Sequence, residues 1–163
     1  MTANIKFIPD GYHTLTPYLV VQGTAQALEF YKNAFAASEL SRLNTPDGNI
    51  AHAEFKIGDS IFMLADENPH CTDHSPAMLG GTPVKLFLYV ADVDTVFAAA
   101  IKAGATSKMP PTNQFWGDRM GALSDPFGHQ WLIATHIEDV DPSEMPSRMA
   151  AFFAAQAASA EPQ

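Results

Sequence analysis

The chain has 163 residues, long enough to bury a core without disulfides or a structural metal. Its 9 Lys and Arg stand against 18 Asp and Glu, a net charge of −9 with no basic run, so nucleic acids and anionic membranes are poor partners. A lone cysteine, Cys71, no apolar stretch in residues 1–9 and no segment near the roughly 20 apolar residues of a membrane span predict a soluble, cytoplasmic protein.

The first element is a short β-branched and aromatic run at 17–21, followed over 25–35 by a helical pattern. Ala27, Leu28, Tyr31 and Phe35 fall on one stripe of that helix. Residues 39–45 supply an edge strand, and residues 52–57 alternate polar and apolar as a half-buried strand does. The Gly58-Asp59 turn leads into a second strand at 60–65, completing a hairpin. Residues 66–83, rich in Pro, Gly, His and Asp, read as a connection.

The pattern then recurs at a shift of 69 residues, which carries Pro17 onto Leu86. A strand at 86–90 precedes a helix with Val93, Val96, Phe97 and Ile101 on its stripe, and Gly104 sits where a helix-ending glycine belongs. Residues 106–110 give the matching edge strand. Strands at 120–124 and 130–135 flank Asp125-Pro126-Phe127-Gly128-His129, a hairpin loop expected to be two residues longer than the first. Each unit therefore reads β-α-β-β-β, an α+β fold made of two modules, about 12–67 and 84–136. An Ala-rich helical tail follows at 141–158, with Asp141-Pro142 at its start and Met149, Phe152, Phe153 and Gln156 along one side. The tail either docks on its own domain or packs across a dimer.

A duplicated βαβββ unit ending in Asp125-Pro126-Phe127-Gly128-His129-Gln130-Trp131 resembles the vicinal oxygen chelate superfamily of glyoxalase I, bleomycin-resistance proteins and extradiol dioxygenases. Thr16-Pro17-Tyr18-Leu19-Val20-Val21, Phe30-Tyr31-Lys32-Asn33-Ala34-Phe35, Gly117-Asp118-Arg119 and residues 135–140 resemble its PhnB-like branch. The resemblance implies that the 163 residues form one such domain, that each module curls its sheet into an open half-barrel with a ligand cavity on the concave face, and that the protein is a homodimer. Metal-dependent members hold a divalent ion with His, Gln or Glu at four positions on the first and last strands of both modules. Here those positions match Thr16, Lys85, Phe62 (or Met63, one residue on) and Leu132, none a usual divalent ligand. No metal or other cofactor is therefore expected at that place.

Alternation puts Thr16 and Tyr18 on one face of the first strand, and Lys85, Phe87 and Tyr89 on the equivalent face of its repeat. His52, Glu54 and Lys56 form the polar face of another strand. His52 and Glu54 read either as a general base with its orienting partner or as a solvated strand face. Trp116 and Arg119 read as a stacking surface with a guanidinium for a planar, anionic ligand, or as a core tryptophan beside an Asp118–Arg119 pair. Tyr18, Phe87 and Tyr89 are pocket wall or packing. His70, Cys71, Asp73 and His74 crowd four potential ligands into one loop but lack a second Cys/His pair, so a surface loop is expected there. His13, His129 and His136 fall at strand ends and turns, with no chemistry attached.

Three functions follow. Ranked first is a metal-free binding protein of the bleomycin-resistance kind, with Thr16, Tyr18, Lys85, Phe87, Tyr89, Trp116 and Arg119 around a small anionic or planar ligand. The alternatives are a metal-dependent glyoxalase- or dioxygenase-type enzyme and a metal-independent enzyme using His52 and Glu54 as acid and base.

Overall fold

The computed structural model describes residues 5–68 and 72–159, and places them in two four-stranded mixed sheets with four helices. The first module runs β1 (Tyr18–Val21), α1 (Thr24–Phe35), β2 (Ser38–Asn44), β3 (Ile50–Ile57) and β4 (Ser60–Asp66). A one-turn helix, α2 (Pro76–Leu79), lies within the connection over 66–83; the Ser75 hydroxyl caps it and Pro76 opens it. The second module runs β5 (Lys85–Tyr89), α3 (Val93–Lys102), β6 (Thr106–Asn113), β7 (Asp118–Ser124) and β8 (Gln130–His136), and α4 (Met145–Ser159) follows.

The two sheets have the same order, β1-β4-β3-β2 and β5-β8-β7-β6. In each, the first strand pairs parallel with the last and the others pair antiparallel. Neither sheet closes on itself. The duplication extends to the helix starts. Asp66 at the end of β4 accepts from the Gly23 and Thr24 amides at 2.9 and 2.7 Å, while Thr135, 69 residues on, accepts through Oγ1 from the Val93 amide at 2.8 Å. The last strand of each module thus satisfies the free N–H groups of its own helix.

One apolar core lies on the helix side of both sheets. From α1, Ala27, Leu28, Tyr31 and Phe35 are buried as their spacing predicts, and Tyr31 stacks on Phe55 of β3 with centroids 4.9 Å apart. In α3 the buried positions are Val93, Phe97 and Ala100, whereas Ile101 is more than a third exposed, because small Ala100 faces inward where α3 meets α1. The β3–β4 register joins Ile57 to Ser60, and β7–β8 joins Ser124 to Gln130. The second loop is therefore five residues against two, one more than the sequence offset suggested.

That longer loop is the seam between modules. Asp125 is buried and accepts from Tyr31 Oη at 2.8 Å, from Trp131 Nε1 at 3.0 Å and from the amides of Phe127 and His129. Phe127 meets Phe30, His129 Nε2 lies 3.2 Å from the Val20 carbonyl, and Trp131 packs on Phe35 and Phe62. At the C-terminal end, Asp141 closes a turn by accepting from the Ser143 amide and hydroxyl rather than capping a helix, so α4 starts at Met145 with Pro146 in its first turn. Phe152 and Phe153 rest on Phe115 of the same chain, and Arg148 ties α4 to Glu138 and Glu144.

Candidate functional site

With the helices and core on one side, the opposite face of each sheet is open. On the first sheet this face carries Tyr18, Met63, Glu54, Ser41, His52 and Leu43, set side by side by the registers Tyr18↔Met63, Glu54↔Met63, Ser41↔Glu54 and Leu43↔His52. Ala53, Phe55 and Ile57 turn to the core, as alternation requires. Glu54 is the centre of a polar group. It accepts from Tyr12 of the N-terminal segment, and His52 Nε2 lies 3.4 Å from Oε1. The Tyr12 hydroxyl holds the carboxyl below its ordinary range, against the opposing pull of burial, with His52 and Ser41 adding to the effect. Reciprocally, the Tyr12 phenol is pushed up to about 12, first by its bond to Glu54. The Tyr18 ring packs 5.8 Å from His52 and is half exposed. Its hydroxyl is pushed up by burial and by the charge of Asp73. A cleft of about 550 Å³ lies beside it, walled by Tyr18, Asp47, Asn49, Ala65 and Glu67.

On the second sheet, Lys85, Phe87 and Tyr89 of β5 share the open face with Gln130, Leu132 and Ala134 of β8. Phe87 and Tyr89 are 46% and 61% exposed, with ring centroids 4.9 Å apart. Next to Tyr89, at the β7–β8 end, Asp118 is only 2% exposed. It accepts through Oδ2 from Tyr89 Oη and Trp116 Nε1, both at 3.0 Å, and through Oδ1 from His136 Nδ1 at 2.8 Å. The other ring nitrogen of His136 lies 3.0 Å from Asp139 Oδ1. Burial pushes the Asp118 carboxyl up, but the bonds from His136, Tyr89 and Trp116 outweigh it and hold the group low. His136 is raised, first by Asp118 and then by Asp139. A carboxylate at each ring nitrogen favours the doubly protonated form of the ring.

The expected residues therefore separate. His52 and Glu54 come together with Tyr18 on one face, Lys85, Phe87 and Tyr89 on another, and Trp116 joins the latter through Asp118. Thr16 lies just before β1, half-buried in the chain entering that strand. Arg119 does not join them: it sits on the helix side of β7, making a bidentate pair with Asp94 of α3 at 2.7 Å for both bonds. Asp118 and Arg119, adjacent in sequence, point to opposite faces and do not pair. His70 and Cys71 lie outside the described residues. Asp118 and His136 were missed by sequence reading, although the period-2 alternation already separated 118 from 119 and put 118 on the face of 120 and 122.

The four metal positions can be tested on these faces. Phe62 is buried in the core, stacked on Phe55, so Met63 is the open-face residue of β4. Thr16, Met63, Lys85 and Leu132 then offer neither imidazole nor carboxylate, and the Lys85 ammonium would repel a cation. These residues do not fit a divalent ion. Among the described residues no group of three or more His, Cys, Asp or Glu is arranged to hold one.

Comparison with known proteins agrees with the architecture. Residues 12–133 match the Glyoxalase/Bleomycin resistance protein/Dioxygenase superfamily, and the chain belongs to it. An uncharacterised protein of Mycobacterium tuberculosis is 44% identical over 138 residues, covering 83% of this chain and 81% of that protein. An uncharacterised protein of Arabidopsis thaliana is 28% identical over 120 residues, 69% of this chain and 72% of its own length. Among solved structures, TioX from Micromonospora sp. ML1 superposes with a TM-score of 0.62 at 25% identity, covering 77% of this chain and 99% of that one. The PhnB protein from Bacillus cereus gives a TM-score of 0.59 at 22% identity, over 76% and 99%, a likeness of fold. No described helix is long and apolar enough to cross a membrane.

Proposed function

We propose that this chain is a small-molecule-binding protein whose ligand lies on the open sheet faces and is held by aromatic rings in place of a divalent ion. The observation that carries the reading is the pairing of two features on the open faces of the two sheets. Tyr18, Phe87 and Tyr89 are 49%, 46% and 61% exposed on the faces where the superfamily binds ligands, while the four metal positions hold Thr16, Met63, Lys85 and Leu132. Large aromatics left exposed side by side favour a planar partner, because stacking returns apolar burial to rings that the chain itself leaves in water. Lys85 adds a cation at the β5 start, and Trp116 extends the surface at the other end of the sheet. The reading includes a homodimer, with Met149 and Phe153, about half exposed on α4, as its candidate seam.

Two measurements test it. A panel of planar aromatic ligands, followed by quenching of tryptophan fluorescence, is expected to yield binders whose affinity falls at least tenfold in Phe87→Ala and Tyr89→Ala. Elemental analysis of protein purified without chelator is expected to find no stoichiometric divalent ion. One ion per chain, lost in Thr16→Ala or Lys85→Ala, would overturn the reading.

A second reading rests on Glu54. Its carboxylate is held ionised beside His52, a geometry suited to proton abstraction from a ligand bound against Tyr18. Turnover abolished in Glu54→Gln, with ligand affinity retained, would favour the enzyme over the binding protein.

A further inference from the structure

The Asp118 group has no role in the core or the seam. A carboxylate taken out of water costs several kcal/mol unless it is fully bonded, and a β-sheet needs no such group to hold together. Here it is built from four separate pieces: Asp118 of β7, Tyr89 of β5, His136 of β8 and Trp116 of the β6–β7 turn. What it achieves is to fix one imidazole ring between two carboxylates, which favours its charged form. Asp118 accepts a hydrogen bond from Nδ1 and so orients the ring, leaving Nε2 on its far side toward Asp139. The group that meets Nε2–H is Asp139, three residues on in the chain, whose side chain is fully exposed. It gives up no burial when it leaves.

We propose that His136, oriented by Asp118, is an anion-recognition group, and that the Asp139 carboxylate stands where the carboxylate of an aromatic acid would bind. The inference rests on the reading of the Phe87–Tyr89 face as ligand surface and names the ligand class for it. A planar acid lying on Tyr89 and Phe87 brings its carboxylate to the edge of the sheet, where Nε2–H donates a charge-assisted bond. The ring's bonded partners are Asp118 and Asp139, and Asp118 also accepts from the Tyr89 phenol, so within this hydrogen-bonded cluster His136 is the group able to carry positive charge. Arg148 is spent on Glu138 and Glu144, and Arg119 on Asp94. Asp139 then acts as a built-in competitor that ligand must displace.

The test uses the full chain with 2-naphthoate and its neutral analogue 2-naphthamide as probes, read by fluorescence titration. Wild type is expected to prefer the acid over the amide, and His136→Gln to lose that preference while still binding the amide. Asp139→Ala, freed of the competitor, is expected to bind naphthoate about tenfold more tightly, with naphthamide unchanged. Asp141→Asn removes a like charge two residues further along the chain that bonds Ser143 and not His136, and should leave both affinities as they are. A structural bridge predicts no gain for Asp139→Ala, with equal or weaker binding of naphthoate, and that result overturns the proposal. Equal affinity of wild type for acid and amide also overturns it, while leaving the aromatic face as ligand surface. Binding of neither probe to any of these proteins overturns both.

Discussion

Asp125 accepts four hydrogen bonds, two from side chains that lie wholly in the core, so its loss strands the Tyr31 hydroxyl and the Trp131 indole N–H without acceptors. Unpaired buried groups of this kind cost more than the net gain of the bonds that satisfied them. Asp125→Ala is therefore expected to lower unfolding free energy by about 3–5 kcal/mol, and Tyr31→Phe, which removes donor and desolvation together, by about 1–2 kcal/mol, measured by urea denaturation. The Asp118–His136 pair gives a different signature. Asp118 is held low, so its contribution is present above the ordinary carboxylate range and lost as pH falls through the folded value. His136 is held high, so its contribution is present below the ordinary imidazole value and lost as pH rises through the folded one. The difference in melting temperature between wild type and His136→Gln should be widest at about pH 5–6 and narrow above neutrality. A difference that stays constant to pH 9 would show that the pair does not titrate with folding.

Among the elements, β7 packs on α3 at Gly121, where an added Cβ would lie 2.8 Å from two ring carbons of Phe97. Phe97 is buried and cannot swing aside, so Gly121→Ala should cost about 1–3 kcal/mol by overpacking, and Phe97→Leu in the same chain should recover part of it. The end of α1 offers a gain instead. Ala36 adopts φ +53°, a left-handed backbone that a Cβ disfavours and glycine accepts. Ala36→Gly is expected to stabilise by about 0.5–1 kcal/mol, read in the same denaturation experiment.

These elements also mark what sequence pattern could reach. α1 and β3 were legible because their apolar residues keep strict periods of 3.6 and 2, and the same buried faces appear in the fold. α2 was not, since four residues carry no period. Ile101 was misjudged because helix spacing alone does not say that a neighbouring helix selects the small residue. The His52–Glu54 proximity follows from alternation within one strand. The Asp118 group does not, because its partners come from three other pieces of chain, up to 29 residues away. Only pairing of β7 with β8 and of β5 with β8 brings them together.

At the scale of the molecule, the net charge of −9 bears on the ligand. An anionic ligand approaching this chain is repelled at long range, so short-range donors must supply the recognition, and of the two cations expected for that task only Lys85 stands on an open face. Association with an anionic ligand should accordingly quicken as salt is raised from 50 to 300 mM, the reverse of an electrostatically steered encounter. Stopped-flow fluorescence checks the sign.

The seam also sets an order on synthesis. Tyr31 lies 94 residues ahead of the carboxylate that accepts its hydroxyl's hydrogen bond. While the ribosome is still making the second module, the nascent first module carries a phenol turned inward with no acceptor, and an apolar helix face that Trp131 has yet to cover. Residues 1–83 released alone should remain loosely packed and protease-sensitive, and become resistant when residues 84–163 are supplied in trans. The loop that carries Asp125 is therefore expected to be the piece whose synthesis lets the first module's core close.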